Sequence, residues 1–535
     1  MSKRNLVSCT LFLAVCLICL VLLPQNLASA KDKNKTILFI PQDNRPISFE
    51  QTADNIKDLG YEVLLPPERL LGNRENPEAS PDKLSQWAME NAPKANAAVI
   101  SSDAIVYGSL VASRKHELTD KTAINRADSI AKIHQANPKM KLYVFGSIMR
   151  TPHTAIDSGG QDDEEFIKYV EDIAKYTALK DKQEQNVLNS LDKVQLTAYE
   201  EVIPQKVINK WLARRSANFA ASRELIALAS DGQIDYLVLG CDDNAKYSQT
   251  NRDKRQLDKY AQILALTDER YESVAGIDEL AYILLTRAIN NLEHKAPTVS
   301  VHYAEGVGKY TIPAASNETI GQTIAKQITM AGGRQVNNDN ADLIFMVNTS
   351  NDGATGAAND KNNVYIANKN VQNFVANVDK FVKANKNVAI GDITFGNGSD
   401  NSLMQSLYQH NLLSKITGYS GWNTPTNSTG YAIAMGMSAL YTDRMQINKM
   451  LAVRYIDDWL YQANARQSVA NKLSSIQGIG SYNQLDAKKT KAEEIATEEI
   501  QKLIVNYQID KLAKQFKHVK IEFPWNRMYE AKIIF

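Results

Sequence analysis

The chain has 535 residues, 44% hydrophobic and 23% charged, which is a globular composition with room for roughly two to four domains, and excludes a disordered chain. Sixty-one Lys and Arg residues against 60 Asp and Glu leave a formal net charge of +1. No surplus of charge draws the protein to nucleic acid or to an anionic membrane, so its ligand must be recognised locally.

The first 30 residues differ from the rest. Lys3 and Arg4 precede an apolar run over 6–23, and Ala28-Ser29-Ala30 supplies a small-x-small cleavage pattern, so residues 1–30 read as a signal peptide and the mature protein is expected to be secreted or otherwise extracytoplasmic. An uncleaved anchor is the competing reading, because the run approaches the roughly 20 residues that span a bilayer. No second segment of this kind follows, so any membrane contact is expected only through the signal before cleavage. Cys9, Cys16 and Cys19 lie within it, and Cys241 is alone in the mature chain. No intramolecular disulfide can form there, and stability must come from a hydrophobic core.

From residue 31 onward, apolar runs alternate with helical patterns. Strands are expected at 36–41, 96–101, 141–147, 235–240 and 272–278, with helices over 122–136, 162–176 and 205–230. Such alternation predicts an α/β fold of parallel βα units, either closed as a barrel or spread as open sheets. A second α/β series starts near Pro297, with strands at 298–303, 341–348 and 387–393 and a helix over 374–385. Residues 445–512 read as helical apart from a polar break at 478–484, and 519–523 as a short strand halted by Pro524. The expected organisation is a signal at 1–30, a first α/β domain at 31–296, a second at 297–444, and a helical segment with a terminal strand at 445–535.

The strand exits carry the chemistry. "FIPQDNRP" presents Asp43 and Arg45, "VISSDAIVYGSLVASR" presents Asp103 and Arg114, and "VFGSIMRTPHT" presents Arg150 and His153. "LVLGCDDNAKYSQ" places Asp242 and Asp243 directly after an apolar run, "GIDE" presents Asp278 and Glu279, and "AIGDITFGNGSD" presents Asp392, Asn397 and Asp400. Open α/β sheets and barrels bind ligands at the carboxyl ends of their strands, so the set resembles the floor of a site for a polar, hydroxylated or partly anionic ligand. Taken singly, each residue is as well explained by a helix cap or a surface ion pair.

The segments "ILFIPQDNRP", "SSDAIVYGSLVASR", "YLVLGCDDNAKYSQ", "AIGDITFGNGSD", "GYSGWNTPTNSTG" and "FPWNRMYE" occur in this order, and the chain resembles the bacterial family known as domain of unknown function 4127 over nearly all of its mature length. The resemblance implies an enzyme-sized α/β unit, often exported, and brings no known reaction. It marks Asp43, Arg45, Asp103, Arg114, Asp242, Asp243, Asp392, Asn397, Trp422, Asn423, Asn427, Asn526 and Arg527 as site candidates, whose roles must come from chemistry.

Elimination narrows that chemistry. The sequence holds no G-x-S-x-G elbow, no H-E-x-x-H helix, no phosphate-binding G-x-x-x-x-G-K-[ST] loop and no cysteine pair for zinc, and its seven histidines are scattered. Cys241 stands beside two carboxylates that suppress its thiolate. Carboxylate chemistry remains. Two adjacent acids repel, and one of them then keeps its proton near neutrality; Asp243 as the acid and Asp242 as an orienting carboxylate would suit a substrate-assisted glycosidase acting on an envelope or environmental glycan, without a cofactor. Trp422 is expected to offer a ring face to sugar, with Asn423, Asn427, Asn397 and Arg45 as hydrogen-bonding partners. Two other readings stay open: a Mg²⁺- or Ca²⁺-dependent hydrolase whose arginines hold a phosphate or carboxylate, and a non-catalytic solute-binding protein. Asn526 and Arg527 are expected to dock by the site, with Arg527 meeting a site acid or the substrate.

Overall fold

Two open, parallel sheets account for the βα alternation. The computed structural model describes residues 35–153, 164–242, 244–314 and 316–535; the expected signal peptide and Asp243 lie outside them. The first sheet contains β1 (Thr36–Ile40), β2 (Glu62–Leu64), β3 (Ala97–Ser101), β4 (Lys141–Ser147), β5 (Tyr236–Cys241) and β6 (Tyr271–Ala275), in the order β2-β1-β3-β4-β5-β6. The second draws on β7 (Thr298–Tyr303), β8 (Arg334–Val336), β9 (Leu343–Asn348), β11 (Val388–Asp392) and β13 (Gly418–Ser420), in the order β13-β11-β9-β7-β8. Between these lie β10 (Gly356–Ala357) and β12 (Phe395–Gly396), a short parallel pair, and an antiparallel pair follows near the end, β14 (Lys520–Glu522) with β15 (Lys532–Ile534).

Read from β8, the second sheet repeats the order of the first five strands of the first. Each chain segment starts in the middle of its sheet, winds outward to one edge, then returns past its first strand. The order reverses between β1 and β3 and again between β7 and β9, and reversal points of this kind open a crevice at the carboxyl ends of the strands.

Burial on both faces explains why the strands read as continuous apolar runs: TILFI, AAVIS and YLVLGC are buried throughout. Side chains still alternate across the sheet. Ile37, Phe39, Val99, Tyr143 and Val238 join one apolar cluster, while Leu38, Ile40, Ile100, Val144 and Leu239 join a second, together with Leu84, Ile130 and Leu225 of the covering helices. The first cluster runs on into Phe345, Met346 and Ile390 of the second sheet, so a single core crosses the position where the second series of strands begins.

The element in between is the helix Leu280–Leu292, LAYILLTRAINNL, apolar around most of its circumference and buried accordingly. It packs against β3 and β4 on one side and against the helix Pro425–Ser438 on the other, which in turn lies over β11 and β13. The short edge strands β2, β8 and β13 have three residues each, too few for a periodic signal. The 445–512 region is helical around a long π-helical stretch, Tyr455–Ala465. Among the described residues no helix is long and apolar enough to cross a membrane.

Candidate active site at the carboxyl ends of the first sheet

The loop leaving β1 sets the first part of the site. Arg45 turns back so that its Nε lies 3.0 Å from both carboxylate oxygens of Asp43, and its Nη2 donates to Asp278 Oδ1 at 2.7 Å. Asp278, in the loop after β6, also accepts from Gln42 Nε2 at 2.5 Å and from Asn423 Nδ2 at 3.0 Å. Burial disfavours the guanidinium charge, but Asp278 and Asp43 more than offset this and hold Arg45 charged.

A second arginine group stands beside it. Arg114, at the end of a short turn after β3, donates through Nη2 to Asp242 Oδ2 at 2.5 Å, and Arg150, from the β4 exit, brings Nη1 to 4.0 Å from the same oxygen. These three side chains are partly open to solvent: 19% for Arg114, 23% for Arg150 and 24% for Asp242. Burial lowers the Arg114 pKa; Asp242 opposes this, and repulsion from Arg150 and Arg45 adds to the lowering.

Two carboxyls lie beneath. Asp103 is in the first turn of the helix Ser102–Tyr107 at the β3 exit, where Ser147 donates its backbone N–H (2.9 Å) and its hydroxyl (3.0 Å). Burial pushes its pKa up to about 7 and the Asp242 charge adds to this, although Ser147 and Arg114 oppose it. Glu279 precedes the inter-sheet helix, fully enclosed, with Asn427 Nδ2 donating to it. Its pocket is tight. Gly276 adopts φ +103°, and a Cβ there would fall 2.2 Å from Glu279 Oε1; one on Gly430 would fall 2.5 Å from Glu279 Cγ. Burial raises the Glu279 pKa to about 8, with Asp278 and Asp242 adding to the effect.

The second sheet and the chain's last segment close over this floor. Asn397 and Asn423 both hold left-handed backbone, φ +60° and +63°, and Asn397 N–H donates to the Asn423 carbonyl at 2.7 Å. The Tyr529 hydroxyl lies 2.5 Å from Asn397 Oδ1 and 2.8 Å from Asn423 Oδ1. Trp525 donates its indole N–H to Asn44 Oδ1 at 2.8 Å and places its ring 5.9 Å from the Arg45 guanidinium.

Several candidates are elsewhere or otherwise employed. Trp422 is only 4% exposed, its ring packed near Tyr529, so it has no free face for a sugar. Asp392 accepts from Asn348 Nδ2 (2.9 Å), the Asp400 N–H (2.8 Å) and the Tyr419 hydroxyl (2.8 Å), a closed network inside the second sheet; burial, then Asp400, pushes its pKa up to about 7. Asn526 holds a turn, its side chain bonded to Asp486. Arg527 pairs with Glu530 of its own turn and stacks over Trp525 and Tyr529, so the acid it meets is neither Asp43, Asp242 nor Asp392. Asn427 belongs to the capping box of the helix Pro425–Ser438 and also reaches Glu279. The buried Cys241 thiol is pushed up by burial, away from the thiolate. Asp278 and Glu279 were legible only as one polar exit among several, and Tyr529 gave no sign of its role.

Among the described residues, no three His, Cys, Asp or Glu side chains come together as a metal-holding group; Asp43, Asp242 and Asp278 each face an arginine instead. The class defined by this architecture is a two-sheet, doubly wound α/β protein with charged side chains gathered at the strand ends of the first sheet. A family model described as "Protein of unknown function (DUF4127)" matches residues 37–534, and the chain belongs to that family. No curated protein and no solved structure matches it.

Proposed function

We propose that the protein is an exported hydrolase of the glycosidase kind, cleaving a glycan at these strand ends with Asp242 as the carboxylate that faces the substrate. One observation carries the reading: two carboxyls in opposite settings stand within electrostatic reach of one arginine, which bonds the more open of them. Asp242 is partly open and ion-paired to Arg114, while Asp103 is buried and keeps its proton up to about pH 7. Glycoside cleavage needs one carboxylate held against a cation and a separate proton donor. With Asp103 neutral, the Arg114 charge is left to Asp242; once Asp103 ionises, two carboxylates compete for it. Asp243, next in the chain, remains the candidate proton donor. Around them, Asn397, Asn423 and Tyr529 bring the amide and hydroxyl groups that a hydroxyl-rich ligand needs.

The test is a reducing-end release assay of the purified protein against a glycan panel. Wild type should release sugar, and Asp242→Asn should lose at least about a hundredfold in rate with its thermal unfolding nearly unchanged, the usual scale for an acid–base group. Equal rates in the two proteins on every cleaved glycan, or no cleavage across the panel, would refute the proposal.

A further inference from the structure

The loop that carries Arg114 has a second side. Arg114 bonds Asp242, but the residues after it, Lys115 to Leu118, line a cavity of about 710 Å³ whose walls include neither Arg114 nor Asp242. That volume lies within the roughly 300–1,000 Å³ of small-molecule sites. The remaining walls are the start of the helix Pro81–Asn91, Arg126, and Tyr107, one turn along the short helix that holds Asp103. His116 is fixed on both sides of its ring, by Asn218 at Nε2 and by the Leu118 N–H, which donates to Nδ1 at 3.1 Å. Burial lowers its pKa to about 4, so the ring is neutral, and it stacks on Tyr107 with ring centres 4.7 Å apart.

Two features of these walls point to a ligand. Tyr107 is only 6% exposed, yet its hydroxyl bonds nothing among the described residues. Buried hydroxyls are normally hydrogen-bonded, and the cavity is the side from which a partner can reach this one. The helix start is the second feature. Ser80 stands at its N-cap without a side-chain bond, and Pro81 has no N–H. The first backbone bond runs from Leu84 N–H to the Ser80 carbonyl at 2.9 Å, which leaves the Asp82 and Lys83 N–H groups unbonded at the cavity wall. The charges around the cavity decide what kind of ligand fits. Glu78, Asp82 and Glu117 balance Lys83, Lys115 and Arg126, and His116 is neutral. An ion of either sign meets attraction and repulsion from equal numbers of groups and still gives up its hydration, which costs far more than desolvating a hydroxyl. A neutral polyol loses less, and each of its hydroxyls both donates and accepts, as a wall of N–H donors, carboxylate acceptors and one phenol requires.

We infer that this cavity is a second, non-catalytic site for a neutral sugar, with Tyr107 and the start of the helix Pro81–Asn91 as its hydrogen-bonding wall. The site follows from the cavity; that its sugar belongs to the glycan being cleaved rests on the glycosidase reading. The test titrates the intact protein with cellobiose, maltose, N,N′-diacetylchitobiose, inorganic phosphate and putrescine, followed by calorimetry or ligand-observed NMR. At least one disaccharide should bind. Its Kd should rise about three- to tenfold in Tyr107→Phe, the scale of one hydrogen bond between uncharged groups, and its binding should be lost in Ser80→Trp, which fills the cavity. Tyr107→Phe deletes a hydroxyl that bonds nothing in the protein, so its urea unfolding should match wild type, and circular dichroism of both variants confirms that the fold survives. No binding of any disaccharide, a disaccharide Kd identical in wild type and both variants, or phosphate or putrescine bound through Tyr107 and Ser80 in place of sugar would each overturn the inference. The two proposals fail separately. Sugar held through Tyr107 without cleavage of any glycan removes the hydrolase and keeps the site; glycan cleavage, with sugar binding indifferent to both variants, removes the site and keeps the hydrolase.

Discussion

Replacing Glu279 with Gln should make the protein progressively more stable than wild type as pH rises. The carboxyl is enclosed between the two sheets, and burial lifts its pKa from an ordinary 4.5 to about 8. Between these values the folded protein holds a proton that the unfolded chain has released, so the unfolded state binds fewer protons and stability falls with rising pH. The favourable contribution is fully present below pH 4.5 and is lost as pH climbs through about 8. Each pH unit in that window costs about 1.4 kcal/mol, so complete ionisation of the buried group costs about 5 kcal/mol. Glutamine has the same shape, its amide oxygen can accept from Asn427, and it does not titrate. Asp103, Asp392 and Asp458 also have pKa values raised to about 7, but both proteins share their effect. Urea unfolding of the two proteins at pH 5 and at pH 8.5 measures the difference. The gap should move in favour of Glu279→Gln by about 4 kcal/mol between the two conditions. A gap constant to within about 0.5 kcal/mol would show that Glu279 ionises without penalty, and the account of the inter-sheet pocket would be wrong.

Under the proposed glycosidase reading, wild type should lose activity above about pH 7 and Asp103→Asn should not, because the asparagine cannot ionise and compete for Arg114; identical pH–rate profiles of the two proteins would exclude Asp103 from the reaction. Asp278→Ala strips Arg45 of one of its two carboxylates and Asn423 of its acceptor, and should cost about 3–5 kcal/mol in urea unfolding, as expected when one partner of a buried ion pair is removed; a loss below about 1 kcal/mol would refute its role as the link between the sheets.

The central strands were legible because their burial is nearly complete: an apolar run such as YLVLGC, bounded by Asp235 and Asp242, reads as a strand whichever face is considered. The three-residue edge strands had no such signal, and a choice between barrel and open sheets depends on how β2 and β8 reach the outside of their sheets, which no local pattern records. The same difference separates the site residues. Asp43, Arg45, Asp103, Arg114, Arg150 and Asp242 share an address, the carboxyl end of one sheet, and that address follows from strand order. Whether a tryptophan is a platform or a core residue depends on what covers it, and Trp422 is covered. Asn397, Asn423 and Asn526 stood out as polar candidates, yet all three have positive φ, a conformation that asparagine tolerates better than most residues. For Asn526 that turn geometry, with its bonds to Asp486, is a sufficient reason for the residue. For Asn397 and Asn423 the same backbone also aims both side chains at Tyr529.

The two sheets share a strand order and differ in what they place at it. In the first, the reversal between β1 and β3 is occupied by Asp43, Arg45, Asp103 and Arg114, ionisable groups gathered where a ligand can reach the outermost of them. In the second, Asn348 at the end of β9 turns inward to Asp392 and Asp400, so its polar groups are consumed in an internal network. That sheet contributes from its other side, through the β11 and β13 exits that carry Asn397 and Asn423. A buried charge is tolerable only with a partner in place, and Asp278 satisfies this from both directions, accepting from Arg45 of the first sheet and from Asn423 of the second. Tyr529 and Trp525 extend the same chain of contacts to the end of the sequence, through Asn423 and Asn44. The first sheet thus supplies charge and the second supplies neutral hydrogen bonds, and the residue that joins them, Asp278, is also the one that holds Arg45 within electrostatic reach of Arg114.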